Sequence, residues 1–132
     1  MNIELKQIIK ASTFKIESER FVYTKVSKLP SVYDHFLVSK DADEITVVTK
    51  EEKLSDLALI ERNKDFCCLI ALNVSVPFYS VGFLATVSQS IAEMGMNLLI
   101  VSTYSKDYIL VKDEKRQEVR EVLLKLGFQE IK

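Results

Sequence analysis

The chain has 132 residues, enough for one ordinary domain or two very small ones. It is 48% hydrophobic and 28% charged, so it can bury a core, and disorder of the whole chain is set aside. Lys plus Arg is 18 against 19 Asp plus Glu, a net charge of −1, which supplies no basic field for a polyanion and excludes nucleic acid as the expected partner.

The opening residues, MNIELKQIIKAS, are broken by Glu4, Lys6 and Lys10 and lack the apolar stretch of a secretory signal. No apolar run is long enough to span a bilayer. A cytoplasmic location without a membrane partner is expected. Residues 1 to 10 read as a short helix or a frayed arm. Thr13–Glu17 and Arg20–Val26 alternate and are rich in β-branched and aromatic residues, predicting two strands either side of Glu17, Ser18 and Glu19. Leu29-Pro30-Ser31 breaks that pattern, because proline removes a donor and restricts its predecessor. His35–Ser39 and Glu44–Thr49, joined by the polar turn Lys40–Asp43, predict a hairpin. A charged connection, Lys50–Asp56, follows, then a short strand and polar turn within Leu57–Asp65.

Phe66–Val76 reads as a buried strand, bounded by Asp65 and Pro77. It contains Cys67 and Cys68. Adjacent residues of an extended segment point to opposite faces, so an ordinary disulfide between them is strained, and no further metal ligands accompany them. They are expected to be two small buried residues. Ser80 is a candidate N-cap, with Leu84, Val87, Ile91 and Met94 on the inward face of the next helix and Gly95 as its stop. Asn97–Tyr104 and Tyr108–Lys112 form a second hairpin. Asp113 caps a last helix whose inward face is Val119, Val122, Leu123 and Leu126, and Gly127 stops it before a short strand, Phe128–Ile131. The fold class is therefore α+β. Residues 64–132 are ferredoxin-like, in β-α-β-β-α-β order, preceded by a strand-rich unit in residues 1–63. Ser39 to Glu44 echoes Ser102 to Asp107, a weak internal repeat with an acid at the start of each second hairpin strand.

Catalytic signatures are lacking. His35 is the one histidine, which excludes a histidine triad or a multi-histidine metal site within one chain. The three glycines, Gly82, Gly95 and Gly127, are too scattered for a phosphate loop. Leu99 and Ile100 stand where an RNA-binding sheet carries aromatics. No enzyme, no cofactor and no metal are expected.

The stretch Gly82–Val111 nevertheless carries a recognisable pattern. It holds Gly82 opening a helix, Ile91-Ala-Glu-Met-Gly95-Met96 closing it, and Ser102-Thr-Tyr-Ser-Lys-Asp107-Tyr-Ile-Leu-Val111. This resembles the ACT-domain family, in particular the aspartokinase-type subgroup that includes small tandem-ACT proteins and the CASTOR-type arginine sensors. Leu29-Pro30 and Val38–Val48 are similar to the corresponding parts of a first ACT unit. The resemblance implies a degenerate ACT-like unit in residues 1–63 and a complete ACT domain in residues 64–132. It implies a regulatory protein, often a homodimer, that binds a small molecule, most commonly an amino acid. Carried over residue by residue, the ligand-binding positions are Val81, Gly82, Thr103, Tyr104 and Asp107. Lys106 stands where the small relatives have Thr, and the loop Val76–Ser80 lacks their Asp. Lys106 leaves two readings open: it neutralises Asp107 internally, or it pairs with a second carboxylate on the ligand. The alternative function is an oligomerisation or partner-docking module whose site has decayed.

The chemistry fits an amino acid. Backbone N–H groups at a helix start, from Val81, Gly82 and Phe83, suit a carboxylate, and Asp107 suits an ammonium group. Tyr104 or Phe78 can close over the side chain.

Overall fold

The computed structural model describes residues 1–74 and 80–132. The chain forms two compact units, one of Met1–Glu17 with Cys68–Lys132 and one of Ser18–Cys67. Residues 1–17 thus group with the C-terminal half of the sequence, whereas the sequence pattern assigns them to the first sixty-three. The strand β1, Thr13–Val26, supplies its first residues to one unit and the remainder to the other. Its Glu17-Ser18-Glu19 segment stays extended, so the two expected strands are one. Polarity alone does not turn a chain; that segment lacks the glycine, proline or asparagine that favours the special backbone angles of a tight turn.

In the larger unit, α1 (Ile3–Lys10) is capped by Asn2, whose Oδ1 accepts from Leu5 N at 2.7 Å. Its Leu5 and Ile9 are buried. There follow β5 (Cys67–Asn73), α2 (Phe83–Glu93), β6 (Leu99–Ser102), β7 (Asp107–Lys112), α3 (Arg116–Leu126) and β8 (Gln129–Glu130). The strand order is β1-β5-β7-β6, with β6 and β7 antiparallel. The last strand, β8, pairs parallel with β1 through Thr13↔Gln129 and Phe14↔Glu130. The N-terminal strand therefore lies between the first and last strands of the β-α-β-β-α-β order. Asn73 at the end of β5 ties to the Thr13 hydroxyl at 3.1 Å.

The core of this unit is one cluster in which Ile9, Phe14, Ile70, Leu72, Val87, Ile91, Ile109 and Leu123 are shut off from solvent almost completely. Phe128 meets Phe14 edge-on at 6.3 Å between ring centres, and Phe83 at 5.7 Å. On α2 the inward face is Phe83, Val87 and Ile91, with Leu84 partly buried. Met94, expected on that face, is 63% exposed. The helix ends at Glu93, and after Gly95 it is Met96 that turns into the core, its N–H bonded to Ile91 O. Ser80 is not the cap; Gly82 holds that position. Asp113 also caps no α-helix. It opens a 3-10 turn, Asp113–Lys115, and pairs with Arg116 at 2.6 Å. Val119, Val122 and Leu123 face inward on α3, and Gly127 ends it at φ +116°. The expected strand end at Ser75 and Val76 lies outside the described residues.

The smaller unit adds β2 (Leu37–Lys40), β3 (Ile45–Lys50) and β4 (Leu59–Arg62) to the second part of β1. β3 and β4 each pair antiparallel with β1, and β2 with β3. Phe21, Val22, Val26, Val47 and Val48 are buried. Thr24 donates its hydroxyl to Val47 O at 2.8 Å, and the buried Thr49 hydroxyl bonds His35 Nδ1 at 2.7 Å. The guanidinium groups of Arg20 and Arg62 lie over the Phe66 ring at 4.2 and 4.4 Å, and Arg20 also grips Glu51 with two bonds.

Two measurements follow from this packing. Ile91→Ala removes a fully enclosed side chain and is expected to cost about 2–5 kcal/mol in urea unfolding. Two carboxylates in the smaller unit are held below their ordinary range: Glu19 by its bonds to Lys50 and Ser18, and Asp41 by the backbone N–H groups of Asp43 and Glu44. Both bind fewer protons folded than unfolded. Their stabilisation is present above the normal carboxylate range and is lost as pH falls through their folded values. The urea midpoint is thus expected to drop between neutral pH and about pH 3, and Asp41→Asn to make that drop smaller.

Candidate functional site

Two backbone turns of the larger unit face each other. The first begins α2. Gly82 adopts the left-handed conformation, φ +82°, which a side chain rarely permits. Phe83 N donates to Ser80 O at 3.1 Å, and Thr86 N to Gly82 O at 2.9 Å. Among the described residues no side chain is seen to cap this helix, and no acid sits in its first turn. The N–H groups of Leu84 and Ala85 belong to that first turn, where no intrahelical acceptor exists. The buried ring of Phe83, set against Phe128, pins the helix start in place.

The second turn joins β6 to β7. Ser102 and Asp107 are the closing pair of the ladder. The Ser102 hydroxyl donates to Asp107 Oδ1 at 2.6 Å. Thr103 ties off the turn, its N–H and hydroxyl both donating to Lys106 O, at 2.8 and 3.1 Å. Asp107 is thus a carboxylate held by a hydrogen bond at the close of the hairpin. Lys106 is exposed. Among the described residues it makes no ion pair with Asp107, although Lys112, Lys115, Arg116 and Arg120 of the same unit are all paired with acids. Internal neutralisation of Asp107 by Lys106 does not occur in this structure.

Between the turns lies a groove of about 360 Å³. Ser80, Gly82, Phe83, Leu84 and Ala85 wall one side; Ser102, Thr103, Tyr104 and Asp107 wall the other. Four of the residues singled out in the sequence, Gly82, Thr103, Tyr104 and Asp107, therefore share one space. Val81 does not. It is 90% exposed and borders a smaller hollow of about 100 Å³ with Asn2, Glu4, Leu5 and Ile8 of the N-terminal helix region. Phe78 lies outside the described residues. Sequence reasoning did not name Leu84, Ala85 or Ser102 as site residues. Ser102 had a signal, since it stands five residues before Asp107 across a turn, the spacing at which a hairpin brings a hydroxyl to a carboxylate.

Among the described residues no group of three His, Cys, Asp or Glu is placed to hold a metal ion, and no helix is long and apolar enough to cross a membrane. Cys67 and Cys68 are both buried and form no disulfide, and burial pushes the Cys68 thiol up, keeping it protonated.

The element order and sheet of the larger unit define a ferredoxin-like α+β fold. Residues 62–125 match the model of the ACT domain, and that part of the chain belongs to the ACT-domain family. No curated protein matches it. Among solved structures it is similar over 94% of its length to 96% of a Vibrio cholerae protein of unknown function, described as a possible transport protein, with 23% identity and a TM-score of 0.81. An Agobacterium tumefaciens protein shows 16% identity and a TM-score of 0.68, with 91% of this chain and 92% of that one aligned. The ligand-free regulatory subunit of aspartate kinase from Thermus thermophilus shows 7% identity and a TM-score of 0.63, over 86% of this chain and 95% of that one. At these identities the likeness concerns the fold. The aspartate kinase match is to a regulatory subunit and not a catalytic one.

Because Gly82 alone sets the left-handed entry to α2, Gly82→Ala is expected to cost about 1–2 kcal/mol of stability by urea unfolding. The cost arises from backbone strain and not from crowding, since an added Cβ meets its nearest neighbour, Leu5 Cδ2, at an ordinary 3.7 Å. A Gly82→Asn change is expected to cost less, because asparagine tolerates that conformation better.

Proposed function

We propose that the chain is an amino-acid-binding regulatory protein of the tandem ACT type, its ligand held in the groove between the start of α2 and the β6–β7 turn. One observation carries this reading: an uncapped helix start and a fixed carboxylate, Asp107, wall the same groove. The ligand's α-carboxylate meets the N–H groups around Gly82, Leu84 and Ala85, where the unsatisfied donors and the helix dipole both favour an anion. Its ammonium group meets Asp107. Thr103 and Tyr104 border the side-chain space. Charge-assisted bonds contribute about 1.5–3 kcal/mol each, and two or three of them reach the roughly −8 kcal/mol of micromolar binding.

On this reading residues 64–132 hold the complete ACT domain, completed by β1, and the strand-rich unit before it is a degenerate ACT-like copy. The protein works as a cytoplasmic homodimer without catalytic activity of its own. The aspartate kinase regulatory subunit of similar fold supports a regulatory role. A thermal-shift screen of the twenty amino acids at millimolar concentration is the test, since a ligand that binds the folded state raises its midpoint by mass action. At least one amino acid is expected to raise the midpoint, and Asp107→Ala to abolish that response while leaving the unliganded midpoint nearly unchanged. A flat screen overturns the proposal.

One observation favours the second reading, an oligomerisation module without a ligand. The β6 edge exposes Leu99 and Ile100, each about two-fifths accessible, and an open strand edge with apolar residues invites pairing. Light scattering that finds a dimer together with a flat thermal screen decides for it.

A further inference from the structure

The charge inventory of the groove is short. Among its described wall residues Asp107 alone carries a formal charge. Facing it is a helix start whose partial positive charge is equivalent to about half an elementary charge. The rest of the wall is apolar, from Phe83, Leu84 and Ala85, or hydroxyl-bearing, from Ser80, Ser102, Thr103 and Tyr104. Lys106, next to Asp107 in sequence, takes no part in the wall, and its carbonyl is engaged by Thr103.

We infer that the groove selects an amino acid whose side chain is uncharged, with Asp107 as the residue that sets this selectivity. The inference rests on the amino-acid reading above and narrows it. A zwitterion uses both poles of the groove once: its carboxylate on the helix start, its ammonium on Asp107. A side-chain carboxylate then meets only Asp107, a like charge. A side-chain ammonium or guanidinium finds the one carboxylate already taken. Either extra charge gives up part of its hydration without gaining a partner. An uncharged side chain, apolar or hydroxyl-bearing, meets matching surface. On this inference Lys106 pairs with no second ligand carboxylate, one of the two roles that the sequence leaves open for that residue.

Titration calorimetry on the full chain tests this with L-valine, L-leucine, L-serine and L-threonine against L-aspartate, L-glutamate, L-lysine and L-arginine. An uncharged amino acid is expected to bind about tenfold or more tightly than any charged one, which is one decade in Kd. Asp107→Asn keeps an acceptor for the Ser102 hydroxyl and so preserves the hairpin; it is expected to weaken the favoured ligand by about tenfold or more. Lys106→Ala is expected to leave the ranking and the affinities unchanged. Tightest binding by an acidic or basic amino acid, or loss of binding in Lys106→Ala, overturns the inference and leaves the amino-acid reading standing. Absence of binding by all eight, with a response to none of the twenty in the thermal screen, overturns both.

Discussion

The larger unit depends on where one aromatic ring sits. Phe128 follows the glycine that ends α3 and lies edge-on to both Phe14 of β1 and Phe83 of α2. Those three residues come from the start, the middle and the end of the chain. Edge-to-face rings add about 0.5–1.5 kcal/mol per pair beyond the area they bury, but geometry matters more here than energy. With Phe83 buried against Phe128, the first turn of α2 is anchored beside the groove. The wall of the groove is in this sense an outcome of core packing.

The two hairpins show how one residue type serves two ends. Each closes on a four-residue turn, the first between Lys40 and Ile45, the second between Ser102 and Asp107. In the first, Asp41 occupies the turn and spends its carboxylate on the backbone N–H groups of Asp43 and Glu44. In the second, the acid stands one step outside the turn, as the first residue of β7, and the turn is closed by Thr103 instead. Asp107 is thereby relieved of the structural task that Asp41 performs. Among the described residues its carboxylate has one side-chain partner, the neutral Ser102 hydroxyl.

Much of this was legible in the sequence for a simple reason. Period-two alternation and turn composition report local preferences, and the hairpins, α2 and α3 are local. Gly95 and Gly127 mark helix ends because the left-handed angle is a property of the single residue. What failed was decided by partners far along the chain. Glu17–Glu19 looks like a turn by polarity, yet it continues a strand that finds partners on either side of it in sequence, at Thr13–Phe14 and at Phe21–Val26. Met94 continues the apolar spacing of α2, but the helix has ended by then, and Met96 fills the core after the glycine turn. Ser80 has the chemistry of a cap, yet its carbonyl, and not its hydroxyl, meets Phe83 N. Of the candidate site, the residues fixed by turn geometry, Gly82 and Asp107, were visible. Ala85 and Leu84 were not, because their apolar side chains read in the sequence as ordinary helix residues.

The placement of β1 also has a bearing on how the protein is made. Thr13 and Phe14 precede Ser18–Cys67 in the chain and their partners Gln129 and Glu130 follow it, so this pairing closes a long loop. The pieces synthesised in between, Ser18–Cys67, have local partners for every strand and can settle as they emerge. The larger unit instead gathers Leu5, Ile9 and Phe14 into a core with residues far along the chain, and contacts that close so long a loop form more slowly than local ones.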